Sequence, residues 1–399
     1  MNNMATSQQL LEGIKILDLT RLLPGGYCSM LLADMGADVL KIETPGEGDY
    51  MRWGPPMLKN MNAYFASING NKRSMTLNLK SEEGKGVFKK LLAGFDVLIE
   101  GNRPGVMERL GFDYETASKI NRSLIYCSIS GYGQDGPYRD EVGHDINYIG
   151  VAGVLSMTGL KGGPPVVPAV QIADLAGGAM FAVIGILAAL TGRTNTGKGR
   201  YVDISMTDGV VSMLSIHAAK HFADGDMLER GHMRLSGQYP CYSAYRTKDE
   251  RHITLGALEP KFWAAFCRAV DREDLVDKQF DDSDAVDGTT AVVSEIFMRK
   301  TLDEWLECLG PYDICVGPAN TIDEVFKDPQ VLHRRMLLET EHPTEGKIKS
   351  LGMPIKFSEY NSDGERLPAP LLGEHTNGVL AEFGYSSDDI DRLKEAGAI

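Results

Sequence analysis

The chain has 399 residues, of which 43% are hydrophobic and 24% charged. This composition is that of a soluble globular protein, and the length predicts more than one domain. The formal charge at pH 7 is −14, from 55 Asp and Glu against 41 Lys and Arg. Such a field repels nucleic acids and anionic membranes, so we expect neither as a partner, and an anionic ligand needs a local basic pocket.

Cysteine usage and the N-terminal sequence predict a cytoplasmic protein. The six cysteines lie far apart, form no CxxC pair and have no accompanying histidine cluster, so the sequence predicts no metal site. Scattered thiols in a long chain are typical of a reducing compartment. The first residues, "MNNMATSQQLLEG", lack the basic and apolar regions of a signal peptide.

The first part of the chain alternates strands and helices. Residues 13–45 predict a strand, a Gly-Pro turn, a helix over 27–35 and a second strand. Further strands are predicted at 74–79, 96–101 and 123–133, with a helix capped by Ser81 after the first of these. This pattern predicts an α/β fold, with a Rossmann-like large domain built on a parallel sheet.

Two segments resemble features of other protein classes, namely a dinucleotide-binding site and a membrane span. Glu43 follows Gly25 at nearly the spacing of a ribose-binding acid, but "LPGGYCSM" is not the GxGxxG fingerprint, so we expect no dinucleotide site. Residues 176–192, "AGGAMFAVIGILAALTG", are apolar enough to suggest a membrane span. They are short for a bilayer and lack flanking aromatic residues, which favours a buried core helix.

The second half of the chain predicts a smaller α+β domain and a return to the first. A helical region over 145–222 contains one strand-like interruption, and 237–258 predicts a hairpin around the turn "TKDER". A second hairpin is predicted within 325–358, and the tail ends in a polar helix. We therefore divide the chain into a large domain (1–215), a linker with a small α+β domain (216–330), and a return segment packing on the large domain (331–399).

Several polar residues follow or precede the predicted strands. Lys72, Arg73 and Arg103 are expected on successive loops of one sheet edge, where they would bind a phosphorylated ligand; each alone is equally well a solvated surface cation. His144 begins a helix after a Gly-rich loop, either as a helix cap or as a base. Asp174 precedes the apolar helix, either as its N-cap or as a functional acid, with Gly177 and Gly178 offering amides to a substrate oxygen.

Six segments in chain order resemble the class III CoA-transferase (CaiB/BaiF) superfamily, and most closely its α-methylacyl-CoA racemase branch. They are "VLIEGNRPGVMERLGFDYE", "YGQDGPYRDEVGHDINYIGVAGVL", "IADLAGGAMFAVIGILAAL", "GKGRYVDISMTDG", "GALEPKFW" and "LGEHT". The resemblance implies an interlocked homodimer, or a heteromer with a homologous subunit. It also implies an acyl-CoA substrate and no cofactor beyond the coenzyme A (CoA) carried on that substrate. The CoA-binding residues it implies are Lys72, Arg73, Asn102, Arg103, Tyr132 and Gly133.

The racemase branch implies a proton-transfer mechanism for this chain. His144 and Asp174 match the pair that removes and returns the proton at C2 of a 2-methylacyl-CoA through an enolate, and both residue types suit that task. Glu259 matches the acid that orients the histidine, as the acid of a triad does. Asp145 is expected to hold a neighbouring loop or assist His144.

Two alternatives remain open at this point. In a CoA-transferase, the residue that matches Asp174 attacks the thioester and forms a mixed anhydride, from which CoA passes to a second acid. In a non-catalytic subunit, the chain binds CoA esters and turns nothing over. The sequence does not identify the acyl group.

Overall fold

The computed structural model describes residues 9–281, 288–358 and 366–399. The chain divides into two compact units, and it leaves the first unit and returns to it twice. The first unit comprises Met1–Ala152, Ala169–Met213 and Pro329–Ile399. The second comprises Gly153–Pro168 and Leu214–Asp328.

A six-stranded parallel sheet organises the first unit, in the order β3-β2-β1-β4-β5-β6. The strands are β1 (Lys15–Asp18), β2 (Asp38–Glu43), β3 (Lys72–Thr76), β4 (Val97–Glu100), β5 (Ile125–Ser130) and β6 (Tyr201–Ser205). The chain builds the sheet outward from β1 and then reverses at β4, so the strand order switches between β1 and β4. In sheets of this kind, ligands bind beyond the carboxyl ends of the strands at that switch. The predicted α/β class with a parallel sheet is confirmed.

Helices connect these strands. They are α1 (Leu22–Asp34), α2 (Ala63–Ile68), α3 (Glu82–Gly94), α4 (Val106–Leu110), α5 (Tyr114–Ile120) and α6 (Asp145–Val151). Helix α1 begins five residues earlier than predicted, because Pro24 lies in its first turn, where the missing N–H costs no hydrogen bond. The helix α3 is capped by the Ser81 side chain, which accepts a hydrogen bond from Gly84 N at 3.0 Å, as predicted.

The packing of the core in the first unit explains why the sequences of its strands are continuous runs of apolar residues. Strand residues such as Leu17, Leu40 and Leu98 are fully buried and pack with the apolar face of α3. Helices that cover both faces of a parallel sheet remove the polar alternation of a half-exposed strand.

The apolar segment predicted as a core helix forms one continuous helical stretch. It begins as a π-helix (Ala173–Met180) and continues as α8 (Phe181–Thr196). It packs against α1, β5 and β6. By length and hydropathy alone it is also capable of crossing a membrane, and 44% of its most apolar window is buried. Helix α9 (Met206–Met213) follows β6 and packs against the π-helix.

The second unit is a small α+β assembly. Helices α7 (Val154–Met157) and α10 (Ser215–Asp224) precede an antiparallel sheet of β7 (Tyr242–Arg246), β8 (His252–Gly256) and β9 (Val316–Pro318). The hairpin β7–β8 lies inside the predicted 237–258. Helices α11 (Pro260–Ala269), α12 (Thr289–Phe297), α13 (Leu302–Leu309) and α14 (Ile322–Val325) complete the unit, with a 3-10 helix at Glu273–Lys278. Its core is aromatic, with Trp263, Phe266, Phe297 and Trp305 buried.

The last part of the chain belongs to the first unit. Helix α15 (Pro329–His333) leads into the antiparallel hairpin of β10 (Leu337–His342) and β11 (Gly346–Leu351), as predicted. Helices α16 (Thr376–Glu382) and α17 (Ser387–Glu395) follow. Val379 and Leu393 from these helices join the core beneath the parallel sheet, and the predicted polar tail helix is α17.

Candidate active site

Two acids meet where α6 and the π-helix begin. Asp145, the first residue of α6, accepts hydrogen bonds at Oδ1 from the backbone N–H groups of Ala173 at 2.6 Å and Asp174 at 3.0 Å. These are amides that the start of a helix leaves without a partner in the helix. Asp145 therefore caps the helix that carries Asp174, which gives it a defined role that the sequence indicated only loosely.

Asp174 lies in the first turn of the π-helix with a half-buried carboxyl group. Burial and then the charge of Asp145 raise its pKa to about 6, while His144 nearby acts in the opposite direction. A π-turn inside an otherwise α-helical segment is frequent at functional sites. A carboxyl group that titrates near neutral pH, beside an imidazole, has the perturbed character of a catalytic acid or nucleophile.

His144 is the N-terminal flanking residue of α6. Its backbone N–H donates to Asn147 Oδ1 at 3.0 Å, and the residue is exposed. His144 therefore occupies the helix-capping position of the structural alternative, and it lies close enough to Asp174 to lower the pKa of that carboxyl group. His144 and Asp174 are thirty residues apart in sequence, yet together with Asp145 they form one electrostatic cluster.

Aromatic residues border this cluster. The Tyr148 hydroxyl donates to Gly143 O at 2.5 Å, and its ring makes an edge contact with Tyr132 at 5.2 Å between centroids. Burial, followed by the charge of Asp174, raises the pKa of Tyr148 to about 12, and Arg103 acts against them. Tyr132 and Arg103, both predicted as CoA-binding, therefore lie in the same electrostatic cluster as Asp174.

The loop after β5 passes close beneath these rings. A Cβ atom at Gly131 would lie 2.3 Å from the Tyr148 ring, and Gly133 has a φ of +93°, so neither position accepts a larger side chain without rearrangement. Gly133 N–H donates to Ser130 Oγ at 3.1 Å. The predicted Gly-rich approach to a ligand is thus also a packing requirement of Tyr148.

Asn102 follows the carboxyl end of β4. Its backbone N–H and side-chain amide both donate to Glu100 Oε2, at 2.8 and 3.2 Å. Glu100 is buried, which raises its pKa. Asn102 is therefore held in a fixed orientation next to the exposed Arg103.

The prediction that Lys72, Arg73 and Arg103 share one sheet edge is wrong. Lys72 and Arg73 are the first residues of β3, whereas Arg103 follows the carboxyl end of β4, and the intervening strands are all parallel. The two groups therefore lie at opposite edges of the sheet. The prediction failed because it grouped a loop that precedes a strand with a loop that follows one.

Both cations of β3 make contacts inside the first unit. The buried Lys72 Nζ donates to Gly26 O at 2.9 Å and Asn69 Oδ1 at 2.8 Å, and burial lowers its pKa to about 8. Arg73 forms ion pairs with Asp38 at 2.8 Å and Glu382 at 3.0 Å. Their predicted role in binding CoA stays a prediction.

Gly177 and Gly178 are buried in the π-helix, and their lack of a side chain has a packing reason. A Cβ atom would lie 2.5 Å from Met206 O at Gly177 and 2.8 Å from Met206 Cγ at Gly178. The tight contact between the π-helix and the start of α9 thus requires both glycines. Their predicted service as an oxyanion site stays a prediction.

Glu259 lies in the second unit, as the exposed residue that precedes α11. Within that unit its charge, after burial, raises the pKa of Cys315. Its predicted role in orienting His144 stays a prediction. Among the described residues, no group of three His, Cys, Asp or Glu side chains is arranged to hold a metal ion.

Sequence reasoning missed one residue at the carboxyl edge of the sheet. Arg21 connects β1 to α1, and its guanidinium donates to the Tyr50 hydroxyl at 2.9 Å. The available signal was an arginine in "LDLTRLLPGG", placed between a buried strand and a Gly-Pro turn.

A sequence profile described as CoA-transferase family III matches residues 11–376. The chain belongs to this family. It is 37% identical to the human succinyl-CoA:glutarate CoA-transferase over 396 residues, covering 98% of this chain and 90% of the relative. It is 34% identical to the formyl-CoA:oxalate CoA-transferase of Rhodopseudomonas palustris (strain BisA53) over 418 residues, covering 98% and 97%.

The fold of the family is also found among solved structures. The crystal structure of a CAIB/BAIF family protein from Brucella suis superposes with a TM-score of 0.80 at 31% identity, covering 94% of this chain and 99% of that one. The superfamily prediction is confirmed, and with it the expectation that CoA arrives on the substrates. The named relatives are transferases rather than racemases, so they favour the alternative activity over the predicted one.

Proposed function

We propose that this protein is a CoA-transferase that moves CoA between two carboxylic acids, with Asp174 as the nucleophile. The observation that carries the proposal is the half-buried Asp174 carboxyl group, whose own backbone N–H is fixed by Asp145 and whose pKa is about 6. Such a carboxyl group is ionised at neutral pH, yet it is only partly hydrated and therefore reactive. The CoA-transferase relatives support the same activity.

The reaction proceeds by four balanced substitutions. The Asp174 carboxylate attacks the thioester carbonyl, the C–S bond breaks, and a mixed anhydride and CoA thiolate form. The thiolate attacks the aspartyl carbonyl, which gives an aspartyl thioester and releases the first acid. The second acid attacks that thioester and forms a new anhydride. The thiolate then attacks the acyl carbonyl of the second acid, which yields the new acyl-CoA and restores the carboxylate.

The oxygen atoms provide the decisive test. In this sequence one oxygen of the accepting acid remains on Asp174 at the end of each turnover. We would incubate the protein with an acyl-CoA and an ¹⁸O-labelled acid, digest it, and measure the mass of the peptide that contains Asp174. Incorporation of heavy oxygen at Asp174 is expected. Transfer of CoA without any label in that peptide would rule out Asp174 as the nucleophile.

Racemisation of a 2-methylacyl-CoA is the second candidate, and the neighbouring imidazole of His144 favours it. Two proton-handling groups in one cluster are what removal and return of a C2 proton requires. A single-enantiomer 2-methylacyl-CoA in deuterated water distinguishes the two activities. A racemase incorporates deuterium at C2 and racemises that carbon without any free acid. A transferase gives no reaction until a free acid is added, and CoA then moves to that acid.

A further inference from the structure

We propose that Arg21 binds the second, unreacting carboxylate of the acyl group, which makes dicarboxylic acids the preferred substrates. This inference rests on the proposed CoA-transferase function. It uses the observations that Arg21 lies at the ligand-binding edge of the sheet, that its guanidinium pairs with no described carboxylate, and that buried charges fix the backbone on both sides of it.

The topology brings Arg21 and Asp174 to the same edge. Helix α1 runs from the carboxyl end of β1 to the amino end of β2, and the π-helix with α8 likewise runs toward the amino end of β6. These helices pack against each other, so both begin at the carboxyl edge. A Cβ atom at Gly101, just after β4, would lie 3.8 Å from the Thr20 side chain, which places Arg21 at the strand-order switch.

The guanidinium of Arg21 is available for an anion. It lies 5.0 Å from the centroid of the Tyr50 ring and donates to the Tyr50 hydroxyl at 2.9 Å, and the residue is exposed. Among residues 9–281, 288–358 and 366–399, no carboxylate forms an ion pair with Arg21, in contrast to Arg52 with Glu43. The hydrogen bond to Tyr50 uses one N–H group of the Arg21 guanidinium and fixes the plane of that group. The remaining N–H groups are left for bidentate contact with a carboxylate.

Buried charges hold the backbone on either side of Arg21. Lys41 Nζ donates to Thr20 O at 2.8 Å, and Asp49 Oδ1 accepts from Leu22 N–H at 3.1 Å. Lys41 and Asp49 form an ion pair at 2.9 Å with side chains at most 1% exposed. One buried pair thus fixes both neighbours of Arg21.

The backbone next to Arg21 is strained. Leu22 has a φ of +61°, a left-handed conformation that a leucine adopts only where its surroundings impose it. Strain of this kind occurs where a functional group is held in a defined direction. The Lys41–Asp49 pair holds the backbone on both sides of Arg21 in this conformation.

The test compares two matched exchange reactions. Glutaryl-CoA is exchanged with radiolabelled glutarate, and valeryl-CoA with radiolabelled valerate, so that the acids differ only in the distal carboxylate. We expect the wild-type protein to favour glutarate. Arg21→Gln should lower kcat/KM for the glutarate exchange by about 10- to 100-fold, mostly through KM, and change the valerate exchange by less than about twofold. Added guanidinium ion should restore part of the glutarate rate.

Two further variants serve as controls for Arg21→Gln. Arg21→Lys keeps the positive charge but lacks the planar guanidinium that contacts a carboxylate bidentately. Its kcat/KM for the glutarate exchange is expected to lie between those of the wild-type protein and Arg21→Gln. Arg122→Gln removes an exposed arginine that precedes β5, at the opposite edge of the sheet, and should change neither exchange.

Equal loss of both exchanges in Arg21→Gln, or loss of neither, overturns the inference while the proposed function stands. Absence of both exchanges in the wild-type protein overturns the inference, and the ¹⁸O experiment then decides separately on the proposed function.

Discussion

The carboxylate of Asp145 binds the backbone N–H of Asp174 across 29 residues of sequence, at 3.0 Å. Asp145 therefore acts on Asp174 in two separable ways. Its oxygen fixes the position of the backbone, and its charge raises the pKa of the Asp174 carboxyl group. Each effect has a substitution that removes it.

Asp145→Asn is expected to keep the position and remove the charge. The side-chain oxygen of asparagine still accepts from the two amides, whereas the pKa of Asp174 falls below its wild-type value of about 6. Because the proposed nucleophile is the ionised carboxylate, the acidic limb of the kcat/KM profile should move to lower pH. The measurement is the rate of CoA transfer as a function of pH.

Asp145→Ala removes both effects and is the comparison for Asp145→Asn. Loss of the two hydrogen bonds frees the first turn of the π-helix, and we expect kcat to fall about 100-fold. If both variants lose activity equally with no displacement of the pH profile, Asp145 does not act through the charge of Asp174.

Asp174→Asn should stabilise the folded protein at neutral pH. The folded-state pKa of about 6 lies above the unfolded value of 3.8, so ionising Asp174 opposes folding. This cost grows as pH rises from about 3.8 to about 6 and is fully present above that range. The variant should therefore gain about 1–3 kcal/mol in the free energy of unfolding at about pH 7.5 and only about 0.5 kcal/mol at about pH 4.

Urea denaturation at the two pH values measures this gain. Asp135→Asn, at an exposed position, is the control and should change stability by less than about 0.5 kcal/mol at both. A gain for Asp174→Asn that is independent of pH would show that ionisation of Asp174 is not its origin.

The parallel sheet could be predicted because its strands are short apolar runs bounded by turns, and periodicity reports such burial directly. The start of β3 could not be predicted from the sequence. Lys72 and Arg73 look like turn residues, yet the Lys72 side chain is buried because Gly26 O, Asn69 and Asp18 surround its ammonium group. A cation that satisfies its charge internally leaves no signal in a hydrophobicity pattern.

The candidate site was predicted in part for a similar reason. His144 and Asp174 were identified because their residue types and neighbouring glycines match a known pattern. The π-helix and the contact of Asp145 with Asp174 depend on packing between segments distant in sequence, which no local propensity encodes. Arg21 was missed because its significance depends on which strands are adjacent.

Gly209→Ala should disturb the π-helix. A Cβ atom at Gly209 in α9 would lie 2.3 Å from the carbonyl oxygen of Gly177, and a backbone atom cannot rotate away as a side chain can. We expect a loss of about 1–3 kcal/mol in the free energy of unfolding, together with a loss of CoA transfer, since the first turn of the π-helix carries Asp174. Urea denaturation and the transfer assay measure both.

Gly192→Ala is the matched control within α8. The nearest atom to a Cβ there is Arg200 Nε at 3.8 Å, an ordinary contact. Replacing a helical glycine by alanine should stabilise the protein by about 0.5–1 kcal/mol and leave activity intact. Full activity in Gly209→Ala would contradict a role for this contact in positioning Asp174.

An apolar face of the first unit predicts self-association. Val151, Met180, Ile184, Val211 and Met213 are 41–59% exposed, and the helices that carry them pack against one another. Exposed apolar patches of this kind mark interaction surfaces. We expect a second copy of the chain to cover this face, so sedimentation equilibrium should give twice the chain mass of 43.6 kDa.

Ile184→Asp tests which occupant covers the face. A carboxylate at a dimer contact should shift the equilibrium toward the monomer and lower CoA transfer, whereas Lys89→Asp, at an exposed position of α3, should leave the mass unchanged. The same helix is apolar enough to enter a bilayer. A wild-type protein that sediments as a monomer and floats with neutral lipid vesicles would contradict the dimer, and Ile184→Asp would then abolish flotation instead of dissociating a complex.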